Sequence, residues 1–359
     1  MNKKNILLYT HPIAFGEELW VSIINGNGIC RLNFSDKYYS MINKFQVAGS
    51  TVLYSEAIMQ HGKIFFVPFN SNRIAVYSIL EDSFSYYDLK INHKESRSLF
   101  YKAVSDFENI YFIPCRYNKC IKINTTEGSF AEFDILWKEE KKQSPPYFLK
   151  AASILEKQLI IGFREYDSLK FVSLEDFSIR QKQIPYALNG ISNLECNNNG
   201  IWIFGKNGRI VRFDPNLDLF EKYDDLFDQD YSGVTSHGFL FETLQIDKNI
   251  YITHSFSNKI SKLNTTDKTI ITQMYGEKEC CLSHLMPIRF PAMYQYGSYL
   301  NILDGNSGKT YCILPSTFEL IDILPEVSFS DLQFKLLPDT NGIVNEVSYM
   351  NLEKYITHI

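Results

Sequence analysis

The sequence predicts an all-β chain built from seven copies of one four-stranded unit, and three observations carry that prediction. First, the stretch NIYITHSFSNKISKLNTT, Asn249 to Thr266, nearly copies an earlier one: Asn109, Ile110, Tyr111, Asn118, Lys119, Lys122, Asn124, Thr125 and Thr126 recur without a gap. Such self-similarity has to be tested as an internal repeat before any other reading. Second, that template fits the chain seven times. The first aliphatic residue of its second strand falls at Leu19, Ile64, Ile110, Leu159, Ile201, Ile250 and Leu300. The last apolar residue of its third strand falls at Leu32, Tyr77, Ile123, Val172, Phe213, Leu263 and Ile313, and the outermost strand opens at Tyr39, Phe84, Phe130, Ile179, Phe220, Ile270 and Leu320. Third, the chain is rich in aromatics, with 27 Phe and 23 Tyr, as expected of strands that pack face to face.

Each copy spans about 47 residues, the length of a four-stranded propeller blade. The strands alternate with period two and are separated by turn residues. One copy reads as an inner strand over Tyr101–Val104, then Asn109–Pro114, Lys119–Asn124 and Ser129–Ile135. Turn chemistry falls between strands at Asn25-Gly26-Asn27-Gly28, Asn207-Gly208, Asp214-Pro215-Asn216 and Gly305-Asn306-Ser307-Gly308. A single blade leaves its sheet faces bare, so neighbours must stack, and a closed ring leaves only short edges. The expectation is one seven-bladed β-propeller of four-stranded antiparallel blades, over residues 10–45, 54–89, 100–135, 148–184, 190–223, 239–274 and 288–324. A six-bladed ring with one irregular repeat is the competing architecture. An α/β fold fails for want of helical periodicity between strands. Residues 325–359 read as an extension forming a closing strand or a short helix, and Asn5 to Thr10 as a strand that also competes to close the ring.

Composition excludes several classes of function. Net charge is −5 without long single-sign runs, so no nucleic-acid footprint is visible. The N-terminal apolar run, Ile6 to Tyr9, is too short for a secretory core, and no window approaches a membrane helix. Seven cysteines, scattered except for Cys280-Cys281, then imply reduced thiols and a cytoplasmic protein, expected to be a monomer. The tripeptides Asn33-Phe34-Ser35, Asn124-Thr125-Thr126 and Asn264-Thr265-Thr266 are read as turns rather than glycosylation sites. There is no nucleophile elbow, P-loop or dinucleotide fingerprint.

NIYITHSFSNKISKLNTTDKTI resembles the repeat of YVTN-type propellers, and GIWIFGKNGRIVRFDPNLDLFEKY, residues 200–223, resembles repeats of the streptogramin-lyase and two-component-sensor propellers. Kelch and WD40 signatures are missing. The likeness implies the fold over Leu19 to Leu324 and places ligands on a face made by two loop sets. One set joins strands two and three, contributing Asn25, Asn27, Asn70, Asn72, Arg116, Tyr117, Arg164, Glu165, Tyr166, Lys206, Asn207, His254, Ser255, Asp304 and Asn306. The other joins blades and holds long excursions at His93–Ser98, Trp137–Tyr147, Asp224–His237 and Gly276–Arg289.

Within these loops, Asn70, Arg116, Arg164, Lys206, His254 and Asp304 are the expected ligand-binding residues. A basic column enters the third strand at Arg73, Lys119, Arg209, Lys259 and Lys309, where it either focuses an anionic ligand or shields hairpin shoulders. The streptogramin-lyase likeness would make His254 or His284 a general base beside Glu165 or Asp304, with a divalent metal. The family's His/Glu pattern does not map onto this chain residue by residue. Cys280, Cys281 and His284 offer soft donors, but adjacent cysteines chelate one ion poorly and no CxxC spacing occurs, so no metal and no cofactor are expected. The leading expectation is a non-catalytic module that binds a protein partner or a small polar or anionic ligand, with a metal-assisted lyase or hydrolase as the alternative.

Overall fold

Period-two alternation predicts that aligned residues of paired strands share one face of a sheet. The computed structural model describes residues 9–23, 28–45, 53–90, 99–117, 119–135, 151–223, 240–254, 258–276, 290, 292–305, 307–327 and 333–334. Over these the chain is all-β, a seven-bladed β-propeller whose blades are antiparallel four-stranded meanders. The blades are β1–β4 (Tyr9–Phe15, Glu18–Ile23, Gly28–Asn33, Tyr38–Lys44), β5–β8 (Tyr54–Gln60, Lys63–Pro68, Arg73–Ser78, Ser83–Asp88) and β9–β12 (Phe100–Ser105, Asn109–Pro114, Cys120–Asn124, Phe130–Phe133). Next come β13–β16 (Ala151–Leu155, Gln158–Gly162, Ser168–Ser173, Ile179–Gln183) and β17–β20 (Ile191–Asn197, Gly200–Gly205, Ile210–Asp214, Leu219–Tyr223). The last two are β21–β24 (Leu240–Ile246, Asn249–His254, Lys259–Asn264, Ile270–Met274) and β25–β28 (Ala292–Tyr296, Tyr299–Leu303, Thr310–Leu314, Glu319–Leu324).

The three apolar columns become one cross-strand row in every blade. Leu19 faces Leu32 and Leu32 faces Tyr39; Ile64, Tyr77 and Phe84 repeat the pairing, as do Ile110, Ile123 and Phe130. The row continues as Leu159–Val172–Ile179, Ile201–Phe213–Phe220, Ile250–Leu263–Ile270 and Leu300–Ile313–Leu320. The first two members are buried in all seven blades, whereas the third is half-buried in five and exposed at Phe130 and Leu320. Trimming a central member is therefore expected to leave a cavity. Ile250→Ala should cost about 2–5 kcal/mol and Leu320→Ala less than about 1 kcal/mol, read as the shift of the urea midpoint at constant m-value.

The hairpin after each third strand repeats as well. The strand's last residue accepts a backbone N–H three residues on at Asn33, Asn124, Asp214 and Asn264, an Asx turn, and Ser78 and Ser173 do the same through their hydroxyls. Five residues after the buried member of the third strand the backbone turns left-handed in every blade, at Lys37, Asp82, Gly128, Phe177, Asp218, Lys268 and Phe318. Phe177 offsets that strain by stacking on Phe133 of the preceding blade, ring centroids 4.3 Å apart.

The chain forms two compact units. In residues 1–90 with 279–359, the first and last blades share a core of Leu19, Val21, Leu32, Ala292, Tyr294, Leu303 and Val327, and the first two blades meet through Trp20, Phe45, Tyr54 and Phe66. Gln333–Phe334, β29, adds in parallel to the outer edge of β4 as a fifth strand. In residues 91–278, apolar cores join the blades in sequence, at Tyr111 and Ile161, at Phe171 and Phe213, and at Trp202 and Ile252. Val344 to Ile359 and Asn5 to Leu8 lie outside the described residues.

Candidate functional site

The loop between strands two and three is anchored to the start of its own blade. Backbone amides of Phe69, Cys115 and Lys206 donate to the carbonyls of Leu53, Leu99 and Gly190 at 2.8, 2.8 and 2.9 Å. Each acceptor precedes an innermost strand, so this loop set rims the entrances to those strands. Asn70 and Arg116 follow directly, their amides reaching the same carbonyls at 3.1 and 3.2 Å.

In the second unit the rim tightens around Gly190. Its backbone is left-handed, φ 91°, and a Cβ there would sit 1.7 Å from the carbonyl oxygen of Arg164. On its other side its own carbonyl receives the Lys206 amide. Gly190 thus holds Arg164 and Lys206, from successive blades, against one peptide unit. Asp167 fixes the approach: its carboxylate accepts the amides of Gly190 at 2.7 Å and Leu188 at 3.1 Å. From the other flank, Asn207 and Arg209 both donate to the Ala187 carbonyl, at 2.9 and 2.8 Å.

The electrostatics follow from that closeness. Burial, and then the Arg164 guanidinium, push the Lys206 ammonium below the usual lysine range, while Glu165 works against them. Burial raises the Cys115 thiol to about 12; Arg116 and Arg164 oppose the rise and Glu165 adds to it. Arg116, Arg164 and Lys206 therefore act within one neighbourhood, with Glu165 among them. Arg116 and Glu165 are exposed, Arg164 and Lys206 half-buried, and the ring of Tyr166 stands 46% exposed beside them. Such a surface attracts anions through charge and offers an aromatic face next to it.

The other candidates sit differently. His254 ends β22 and is buried, with Nε2 2.8 Å from Ser261 Oγ; that hydroxyl lies 2.7 Å from Thr272 Oγ1. Burial, with Lys259 nearby, lowers its pKa to about 3. Asp304, in the first unit, is buried and accepts the hydroxyls of Ser307 at 3.0 Å and Tyr311 at 3.2 Å. Both side chains point into hydrogen bonds of their own blade. Asn70, also in the first unit, is half-buried.

Two members of the basic column are paired across their hairpins, Arg73 with Asp88 at 2.7 Å and Lys119 with Glu132 at 3.4 Å. Lys259 is half-buried and Lys309 exposed. Asn25, Asn27, Ser255, Cys280, Cys281, His284, Arg289 and Asn306 lie outside the described residues, as do most residues of the long excursions. Among the described residues no group of three or more His, Cys, Asp or Glu side chains is placed to hold a metal ion.

Gly190 and Asp167 carry the site and were not singled out from the sequence, although Asn189-Gly190 is a turn dipeptide. No family model matches the chain, and no curated protein does. Solved structures are similar at the level of fold. Virginiamycin B lyase from Staphylococcus aureus, a catalytically inactive form with quinupristin, aligns at TM-score 0.62 and 13% identity, over 84% of this chain and 93% of the lyase chain. The extracellular domain of a hybrid two-component system from B. thetaiotaomicron aligns at TM-score 0.54 and 16% identity, over 86% of this chain but only 38% of the other. A chain of the mitotic checkpoint complex aligns at TM-score 0.60 and 9% identity, over 84% and 87%.

Proposed function

We propose that the protein is a non-catalytic binding module whose loop face captures an anionic group, carried by a small ligand or by an acidic segment of a protein partner. The observation that carries this reading is the clasp at Gly190, which fixes Arg164 and Lys206 side by side with Arg116 in the same electrostatic neighbourhood. Holding like charges together costs free energy, and a bound anion relieves that cost. A cytoplasmic, monomeric protein is part of the same proposal.

The burial of His254 favours binding over lyase chemistry. A histidine whose pKa lies near 3, with Nε2 engaged by a buried serine, is poorly matched to general-base work at neutral pH. Melting curves with inorganic phosphate and with an acidic peptide separate a small-ligand site from a peptide site. One or the other should raise the melting temperature of the native protein, less so at high salt. Arg164→Glu combined with Lys206→Glu should weaken that ligand roughly tenfold or more. An undiminished rise in the double variant would overturn the proposal.

A further inference from the structure

The innermost strands of the second unit carry a polar group that the loop face does not use. β9, β13, β17 and β21 lie side by side in that order. Lys102, Ser153, Glu195, Cys196 and Thr243, one or two from each strand, are all half-buried. Thr243 Oγ1 donates to Glu195 Oε1 at 2.7 Å, which ties two blades together, and Asn197 Nδ2 reaches Gln245 Oε1 at 3.4 Å between the same pair. Lys102 acts on both Glu195 and Cys196 from two blades away, and Ser153, on the blade between, hydrogen-bonds the Cys196 side chain.

Glu195 retains surface that touches solvent, yet the protein around it desolvates the carboxyl enough to raise its pKa. A carboxylate on an open surface would not be desolvated, and one in a packed core would not meet water. With Lys102, Ser153 and Thr243 half-buried on the neighbouring innermost strands, and hydrogen bonds joining its blade to the next, Glu195 belongs to a partly solvated polar recess rather than to the packed core.

We infer that this recess binds a small, neutral, hydroxyl-rich molecule. Lys102 only donates, an ionised Glu195 only accepts, and Ser153, Asn197 and Gln245 do both, while Thr243 holds Glu195 in place. The formal charges of Lys102 and Glu195 cancel, so an ionic ligand attracted by one is repelled by the other. An apolar ligand would strip water from all five groups without replacing a hydrogen bond. A hydroxyl both donates and accepts, and vicinal hydroxyls bridge ammonium to carboxylate without adding charge.

The test is calorimetric titration of the full chain with myo-inositol and with D-glucose. Saturable binding of at least one is expected, weakened about tenfold in Lys102→Met and in Glu195→Gln, the scale of losing a hydrogen bond to a charged group. Arg164→Glu with Lys206→Glu should leave this binding unchanged, which separates the recess from the loop face. Thr243→Val removes the tie between blades but keeps both charges. Binding that survives in folded Thr243→Val while failing in folded Lys102→Met supports the inference. No saturable binding by the native protein, or losses that only track melting temperature across the three variants, overturns it and leaves the group a structural clasp.

Discussion

Gly190→Ala is expected to be among the most damaging single methyl additions in the chain. The new Cβ would lie 1.7 Å from a backbone carbonyl, that of Arg164, and 2.5 Å from its carbon, so no side-chain rotation relieves the clash. The left-handed φ of 91° adds strain of its own. Backbone displacement and conformational strain together should cost roughly 3 kcal/mol or more. Gly16, Gly62 and Gly297 supply the control: their φ values are also positive, but nothing stands within 4 Å of the added carbon. Alanine there should cost only about 1–2 kcal/mol. The comparison is made on urea midpoints, and a Gly190→Ala loss no larger than that of Gly62→Ala would contradict the clasp. The variant also separates fold from function. Where it remains folded, Arg164 and Lys206 are no longer held to one peptide unit, and affinity for the anionic probe should fall along with stability.

The contrast between Ile250 and Gly190 shows what a sequence of this kind discloses. Ile250 belongs to a column whose seven members share a register and a period, so repetition supplied the signal that a single strand lacks. Buried rows, hairpin caps and blade count all follow from that periodicity, because local alternation and turn chemistry set them. Gly190 occupies a position that is Leu53 and Leu99 in two sister blades, so the repeat gives no signal for a glycine there. Its constraint comes from a carbonyl 26 residues earlier in the chain, on another blade, and no local pattern encodes that approach. His254 illustrates the same limit from the other side. The repeat frame puts it among the loop residues, and only packing reveals that it lies in the sheet against Ser261. Lys102 and Glu195 were overlooked because inner-strand residues read as core, whereas the inner strands of stacked blades leave one edge for polar groups.

Acidification is expected to weaken the fold well before the carboxylates titrate, and His254 is the reason. An unfolded histidine takes up its proton near pH 6.5, while in the folded protein burial delays uptake to about pH 3. Between those values the unfolded state binds the extra proton, so stability is complete above pH 6.5 and falls as pH drops towards 3. Each pH unit inside the window costs about 1.4 kcal/mol, for a total on the order of 5 kcal/mol if the whole range is crossed. Other groups act over different ranges or with opposite sign. Asp176 and Glu221, lowered to about 2 mainly by hydrogen bonds from Ser173 and Lys268, lose their contribution at lower pH. Glu195 is raised by burial and so gains a proton more readily when folded, which partly offsets the loss on acidification. Subtraction isolates the histidine. His254→Gln keeps a partner for Ser261 but cannot titrate, and its stability between pH 6.5 and 4.5 should be nearly flat relative to the native protein. The native protein should lose about 2 kcal/mol more than the variant over that interval. Parallel profiles for the two proteins would mean that His254 protonates in the folded state as readily as in the unfolded one, contrary to its burial against β23.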